Sequence, residues 1–323
     1  MTFRHFRLFT SVSRLNTKIK NTMKPLFIAL FIAAVALSAC RPAVDHNGQV
    51  APHLEPVVAE GSLFIIGGGS RPAHMVERMV EEAGLRNGGY VVILPMASAE
   101  PDSAIIWSGE QFFLQGIDQV AGFNFKPGEE PSEERLDSLK NASLIYISGG
   151  SQGRFMDIVL NTPIHEAILE AYKEGAMIAG TSAGAAVMSE KMITGDELRH
   201  PEYRPTYAVI EAENMELAEG LGLIKTAIID QHFVWRSRHN RLITGILEHP
   251  QLPGIGIDES TAILVRGNTA EVVGDSQVLM YRNQHGSVNT HEYKLGGFDL
   301  RLDVFLPGDI FIIRLLTDEI GTR

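Results

Sequence analysis

The sequence predicts an α/β fold, a three-layer sandwich on a mostly parallel sheet, with antiparallel strands at its C-terminal edge. Three observations predict it. Short apolar runs alternate with helical stretches from Ser62 to Leu247, the pattern of strands joined by crossover helices. Three of the runs end in glycine-rich turns: Gly67-Gly68-Gly69, Gly149-Gly150 and Gly180-Thr181-Ser182-Ala183-Gly184. Beyond Ala262 the runs follow one another through short turns with no helix between them, as antiparallel strands do.

The elements follow in order. Leu63 to Ile66 is apolar throughout, as a parallel strand buried on both faces must be. Ala73 to Ala83 has Met75, Met79, Val80 and Ala83 at helical spacing. Tyr90 to Leu94 is a second strand, Glu110 to Leu114 belongs to a helix, and Ala121 to Phe125 is a third strand. Pro131 to Lys140 is a polar helix, Leu144 to Ile147 a strand, Ile164 to Tyr172 a helix and Ala176 to Ala179 a strand. A helix of small residues begins at Ala185. Lys225 to Asp230 is a strand, Arg238 to Leu247 a helix and Gly254 to Ile257 a strand. Ala262–Val265, Ala270–Val273, Val278–Tyr281 and Asp309–Ile313 are expected to extend the same sheet at one edge.

The N-terminus has a different character. Pro25 to Leu37 is an apolar run of 13 residues behind Lys24, too short to span a bilayer but suited to a signal-peptide core. Leu37-Ser38-Ala39-Cys40 looks like a bacterial lipobox, which makes Cys40, the single cysteine, the expected lipidation site. Residues 1–39 are then a lipoprotein signal peptide, with Met23 the better translation start. Residues 40–61 are a polar, proline-containing tether, and 62–323 form a single α/β domain. The expected location is the periplasm or cell surface, with membrane contact through the anchor at Cys40.

Composition excludes several classes. The formal net charge of -11 opposes a general affinity for nucleic acid, which needs a basic field. One cysteine allows no intrachain disulfide. There is no H-E-x-x-H and no cysteine–histidine set, so no metal is expected. The glycine triplet lacks dinucleotide spacing, and no cofactor is expected.

The chemistry points to Ser182. A G-x-S-x-G pattern between an apolar strand and a small-residue helix is the context of a nucleophile elbow. Such a serine needs a base, and the base needs an orienting acid. Of 11 histidines, His232 stands just past the strand Thr226–Ile229, at the sheet edge expected to carry Ser182. Asp258 and Glu259 close another short strand, and either satisfies the order Ser, His, acid. An esterase order, Ser, acid, His, would need Asp258 or Asp275 followed by His285 or His291, which lie in a polar stretch. A catalytically silent binding protein is the third class.

Four ordered stretches carry a resemblance. They are Gly180 to Ala185, Gly220 to Leu223, Asp230-Gln231-His232-Phe233 with Arg236, Arg238, Arg241 and Leu242, and Gly254 to Ala262. Together they resemble the cyanophycinase and dipeptidase E family of serine peptidases, over about Ser62 to Val265. The resemblance implies a class I glutamine amidotransferase-like fold with serine as nucleophile. It makes Ser182 the nucleophile, His232 the base and Glu259 the acid, with Gly150 and Ala183 offering backbone N–H groups to the oxyanion. Gln152, Asp230, Gln231, Arg236, Arg238 and Arg241 match positions lining the substrate cleft, and Asp230 is expected to meet a substrate guanidinium. Implied substrates are aspartyl or isoaspartyl peptides, with cyanophycin, a polyaspartate bearing arginine on each side-chain carboxyl, as candidate. A homodimer is also implied. Ser151 stands where the family commonly has an acidic residue. Tyr203 and Tyr207, in the stretch Glu197–Tyr207, are candidates to cover the cleft.

Overall fold

Apolar runs whose every residue is buried make the centre of the molecule: β1 (Leu63–Ile66), β2 (Val91–Leu94), β4 (Leu144–Ile147) and β5 (Met177–Thr181). The computed structural model describes residues 61–202 and 206–313. The proposed signal peptide, Cys40, nearly all of the tether and Tyr203 lie outside them. With β3 (Val120–Gly122), these strands run parallel in the order β3-β2-β4-β5-β1. Beyond β1 the sheet turns antiparallel through β10 (Thr261–Arg266), β11 (Thr269–Gly274) and β16 (Ile310–Ile312).

Alternation along each strand sorts the core into two layers. Phe64, Ile66, Val91, Ile93, Leu144 and Tyr146 pack beneath α1 (Ala73–Glu82) and α2 (Pro101–Phe113). Leu63, Ile65, Val92, Leu94, Ile145 and Ile147 face the other way. There they meet α4 (Gln152–Val159), α5 (Pro163–Lys173) and the short α6 (Ala183–Ala186), with α3 (Glu133–Lys140) beside α5. Helix starts follow local chemistry: Ser132 and Ser151 cap α3 and α4 by accepting a backbone N–H, and Pro101 and Pro163 open α2 and α5.

The expectation of a single sheet is corrected. The parallel pair β8 (Ile228–Gln231) and β9 (Gly254–Ile257) joins β12 (Val278–Asn283) and β15 (Leu300–Phe305) in a separate four-stranded sheet. Only β10, β11 and β16 extend the main sheet. Ile229, Ile255, Ile257, Val278 and Met280 of the second sheet share the main core. Its other face packs Ile228, Phe233 and Leu279 against Leu242 and Ile246 of α7 (His239–Glu248). Two hairpins complete the described chain: β6 (Lys191–Glu197) with β7 (Met215–Glu219), and β13 (Asn289–His291) with β14 (Lys294–Gly296).

A buried ion pair ties α7 to the second sheet. Arg241 Nε donates to Asp230 Oδ2 at 2.9 Å, and Nη2 donates to Oδ1. The two side chains are 7% and 1% exposed. Removing one partner strands a desolvated charge, which typically costs about 3–5 kcal/mol, whereas replacing both by apolar groups is often neutral. Arg241→Met should therefore lower unfolding free energy in urea by about that amount, and adding Asp230→Leu should recover most of it.

Candidate active site

Strand ends from both sheets meet at one edge. Ile66 O, at the end of β1, accepts the Ser182 N–H at 3.1 Å, and Gly67 O accepts the His232 N–H at 2.7 Å. Gly68 O accepts the Ser260 N–H at 2.9 Å. The chain leaving β1 thus fastens the turn after β5, the turn after β8 and the turn after β9.

Ser182 sits between β5 and α6 with φ 55° and ψ −110°, a conformation that a serine seldom adopts. The glycines around it permit the close turn: a Cβ on Gly180 would lie 2.3 Å from Gly184 O. His232 Nε2 lies 2.9 Å from Ser182 Oγ, and His232 Nδ1 lies 2.5 Å from Glu259 Oε1. The file Ser–His–Glu has the geometry needed for proton transfer from the hydroxyl to the imidazole. Asp258, the other candidate acid, points elsewhere, accepting from the Trp235 N–H and the Ser276 hydroxyl.

The glycine triplet after β1 has a role that sequence reasoning missed. A Cβ on Gly68 would lie 2.2 Å from His232 Cε1, and one on Gly69 would lie 2.8 Å from Glu259 Cβ. The ring and the carboxylate rest on bare backbone. Three consecutive glycines were the visible signal, since such a run marks close approach as well as a turn.

Burial pushes the His232 imidazole below the ordinary histidine value of 6.5, and the Arg236 and Arg238 charges push it the same way. The hydrogen bond and charge of Glu259 act in the opposite direction without prevailing.

Ser182 opens onto a cavity of about 180 Å³ lined by Gly150, Gln152, Thr194 to Glu197, Tyr207, Gln231, Arg236, Arg238 and Arg241. Gly150 and Ala183 flank the serine from β4 and α6. Gln152 donates to Ile193 O and Thr194 O, which fixes the β6 wall. Arg238 donates to Gln231 O at 2.8 Å, while Gln231 Oε1 is buried without a hydrogen-bond partner among the described residues. The Arg236 guanidinium has no hydrogen-bond or ion-pair partner among the described residues. The Asp230 carboxylate is held by Arg241 and by the Gln231 N–H, with Arg238 Nη1 3.6 Å away. Asp230 is 1% exposed and stands just before Gln231, which lines the cavity. The three arginines all reach the cavity because Arg236 and Arg238 precede α7 and are not spaced by its turns. Tyr207 hydrogen-bonds Asn214 at 3.0 Å, and burial pushes its phenol far above the ordinary range.

A larger cavity of about 860 Å³ opens at the start of β1, lined by Leu63, His165, Lys173 and Lys225 among others. It contains none of Ser182, His232 and Glu259. Among the described residues no cluster of three or more His, Cys, Asp or Glu could hold a metal.

The fold and the site define a class, an α/β protein with a parallel central sheet whose serine stands on a strand-to-helix elbow beside a histidine and a glutamate. Residues 63–273 match the family model of Peptidase family S51. The chain is 32% identical over 270 residues to a cyanophycinase from Trichormus variabilis, covering 79% of this chain and 87% of that one. It is 32% identical over 263 residues to a cyanophycinase from Geminocystis herdmanii, covering 77% and 92%. A Peptidase E from Streptomyces coelicolor is 24% identical over 204 residues, covering 60% and 75%. The crystal structure of a peptidase from an acI-B1 Actinobacterium superposes with a TM-score of 0.57 at 24% identity, covering 79% of this chain and 98% of that one; it is similar in fold. The chain therefore belongs to peptidase family S51 and is a serine-type peptidase.

Two measurements probe this geometry. A neutral imidazole is required to accept the serine proton, so kcat/KM should rise with pH along a limb whose midpoint lies below 6.5. Arg236→Gln removes a charge that opposes protonation, and should move that midpoint upward. Gly68→Ala displaces the imidazole, and kcat should fall about 10²-fold, as for misplacement by about 1 Å.

Proposed function

We propose that the protein is an exported serine peptidase that hydrolyses aspartyl or isoaspartyl bonds, with cyanophycin or its fragments as candidate substrate and β-aspartyl-arginine as product. The observation that carries this is the file of Ser182 Oγ, His232 and Glu259, at 2.9 and 2.5 Å, opening onto a cavity lined by Arg236 and Arg238. Guanidinium groups suit the carboxylates of an aspartyl-rich chain. The cyanophycinase relatives support this substrate class.

In this mechanism His232 Nε2 takes the proton as Ser182 Oγ adds to the peptide carbonyl. The oxyanion is received by the N–H groups of Gly150 and Ala183. Glu259 holds the imidazole in the tautomer that presents a free Nε2 and stabilises the imidazolium. That proton then passes to the departing amine, leaving an acyl-enzyme. A water deprotonated by His232 attacks the ester, and the returning proton regenerates Ser182. Each oxyanion donor typically contributes about 2.7–4 kcal/mol to barrier reduction.

The signal-like run before Cys40 supports lipid anchoring of the mature chain. Its consequence is that Cys40→Ser should abolish incorporation of a labelled fatty acid. An aspartyl dipeptidase is the second reading, favoured by a cavity of about 180 Å³, smaller than the roughly 300–1,000 Å³ of most ligand pockets.

The decisive assay incubates the protein with cyanophycin and with α- and β-aspartyl dipeptides, and detects products by mass. Release of β-aspartyl-arginine is expected, with Ser182→Ala reducing turnover by at least about 10⁴-fold. Cleavage of dipeptides alone selects the dipeptidase. Full activity in Ser182→Ala refutes the nucleophile.

A further inference from the structure

The turn between His232 and α7 holds a large apolar ring in solvent beside the site. Val234 and Trp235 are 37% and 75% exposed. No ring or cation of the described residues covers the indole. Exposed apolar side chains are common singly, but two adjacent ones, within three residues of the candidate base, ask for an explanation.

The turn does not arise from slack chain. Arg236 N–H donates to His232 O, Ser237 N–H to Val234 O and Arg238 N–H to Phe233 O, each at 3.0 Å. Trp235 N–H donates to Asp258 Oδ1 at 2.9 Å, and Asp258 is itself held by the Ser276 hydroxyl at 2.7 Å. Phe233 is wholly buried, its ring edge-on to His239 and Tyr281. His232 and Ser237 bracket the turn at φ 49° and 52°, in the sparsely populated left-handed region. A strained, cross-braced turn thus roots Phe233 in the core and directs Trp235 outward.

Its position is informative. Trp235 is bonded through its amide to the residue preceding Glu259, and the residue following it, Arg236, lines the cavity. Trp235 does not itself line the cavity; its backbone stands one residue before Arg236, which does. The cavity of about 180 Å³ has room for roughly one residue of a peptide, given that pockets for drug-sized ligands measure about 300–1,000 Å³. Any longer substrate must leave the cavity across its rim.

We infer that Trp235 is a substrate-binding platform for the part of an aspartyl peptide lying outside the cavity, and that it gives the enzyme a preference for oligomers over dipeptides. The inference rests on the proposed reading of the substrate class. A rigid aromatic face offers a peptide apolar contact at low entropic cost, and receives cationic side chains on its π-face.

The test uses full-length protein and aspartyl peptides of two, four and six residues. Trp235→Ala should lower the ratio of kcat/KM for the hexapeptide to that for the dipeptide about tenfold, and Trp235→Phe should restore most of it. A direct readout exists because the chain has two tryptophans, Trp107 and Trp235. In Ser182→Ala/Trp107→Phe, Trp235 is the sole indole, and hexapeptide binding should shift its emission to shorter wavelength. If the peptides are cleaved but the ratio holds within twofold and the emission does not move, the platform is refuted while the peptidase reading stands. If no aspartyl peptide is cleaved or bound, the substrate reading falls and takes the platform with it.

Discussion

The hydrogen bond from the His232 amide to the Gly67 carbonyl joins the two sheets at the level of Ser182. At 2.7 Å it is an ordinary backbone bond in length, but the candidate site is assembled around it. The serine belongs to the eight-stranded sheet, whereas the histidine and glutamate follow strands of the four-stranded one. Without a fixed seam between the sheets, a 2.9 Å contact from Ser182 Oγ to His232 Nε2 would depend on the general packing of two layers. With it, the imidazole takes its height from the same strand end that accepts the Ser182 amide.

The seam is strained at the candidate site. Ser182, His232 and Ser260 all have positive φ, at 55°, 49° and 54°. Such residues cost of the order of 1–3 kcal/mol each and persist where surrounding structure over-determines them. Here that structure is the set of carbonyls from Ile66 to Gly68, which accept from all three amides. The buried strands behind them supply the rigidity, and the glycines supply the room.

The sequence displayed much of this, for identifiable reasons. Strands buried on both faces are continuous apolar runs, so β1, β2, β4 and β5 were legible, and Ser182 followed from the glycines on either side of it. The separate second sheet was not legible. A run such as Ile228 to Gln231 looks the same whichever neighbours it pairs with. The β6–β7 hairpin was hidden by the polar composition of Lys191–Glu197 and Met215–Glu219. The α4 helix was hidden by Gly153, a poor helix former one residue inside its start. The partner of Asp230 was not legible, because a strand-end carboxylate reads as available. Its neutralisation by Arg241, from the next helix, appears only when β8 and α7 are packed.

The side-chain carbonyl of Gln231, which has no hydrogen-bond partner among the described residues, marks a cost built into the cavity wall. The residue's own N–H is given to Asp230 and its backbone oxygen to Arg238, so its backbone is held while its amide oxygen stays buried and unsatisfied. Folding has already stripped that oxygen of water. An unmet buried acceptor of this kind costs about 1–3 kcal/mol. The wall beside Ser182 is thus held in place against a local penalty, which the surrounding packing has to offset.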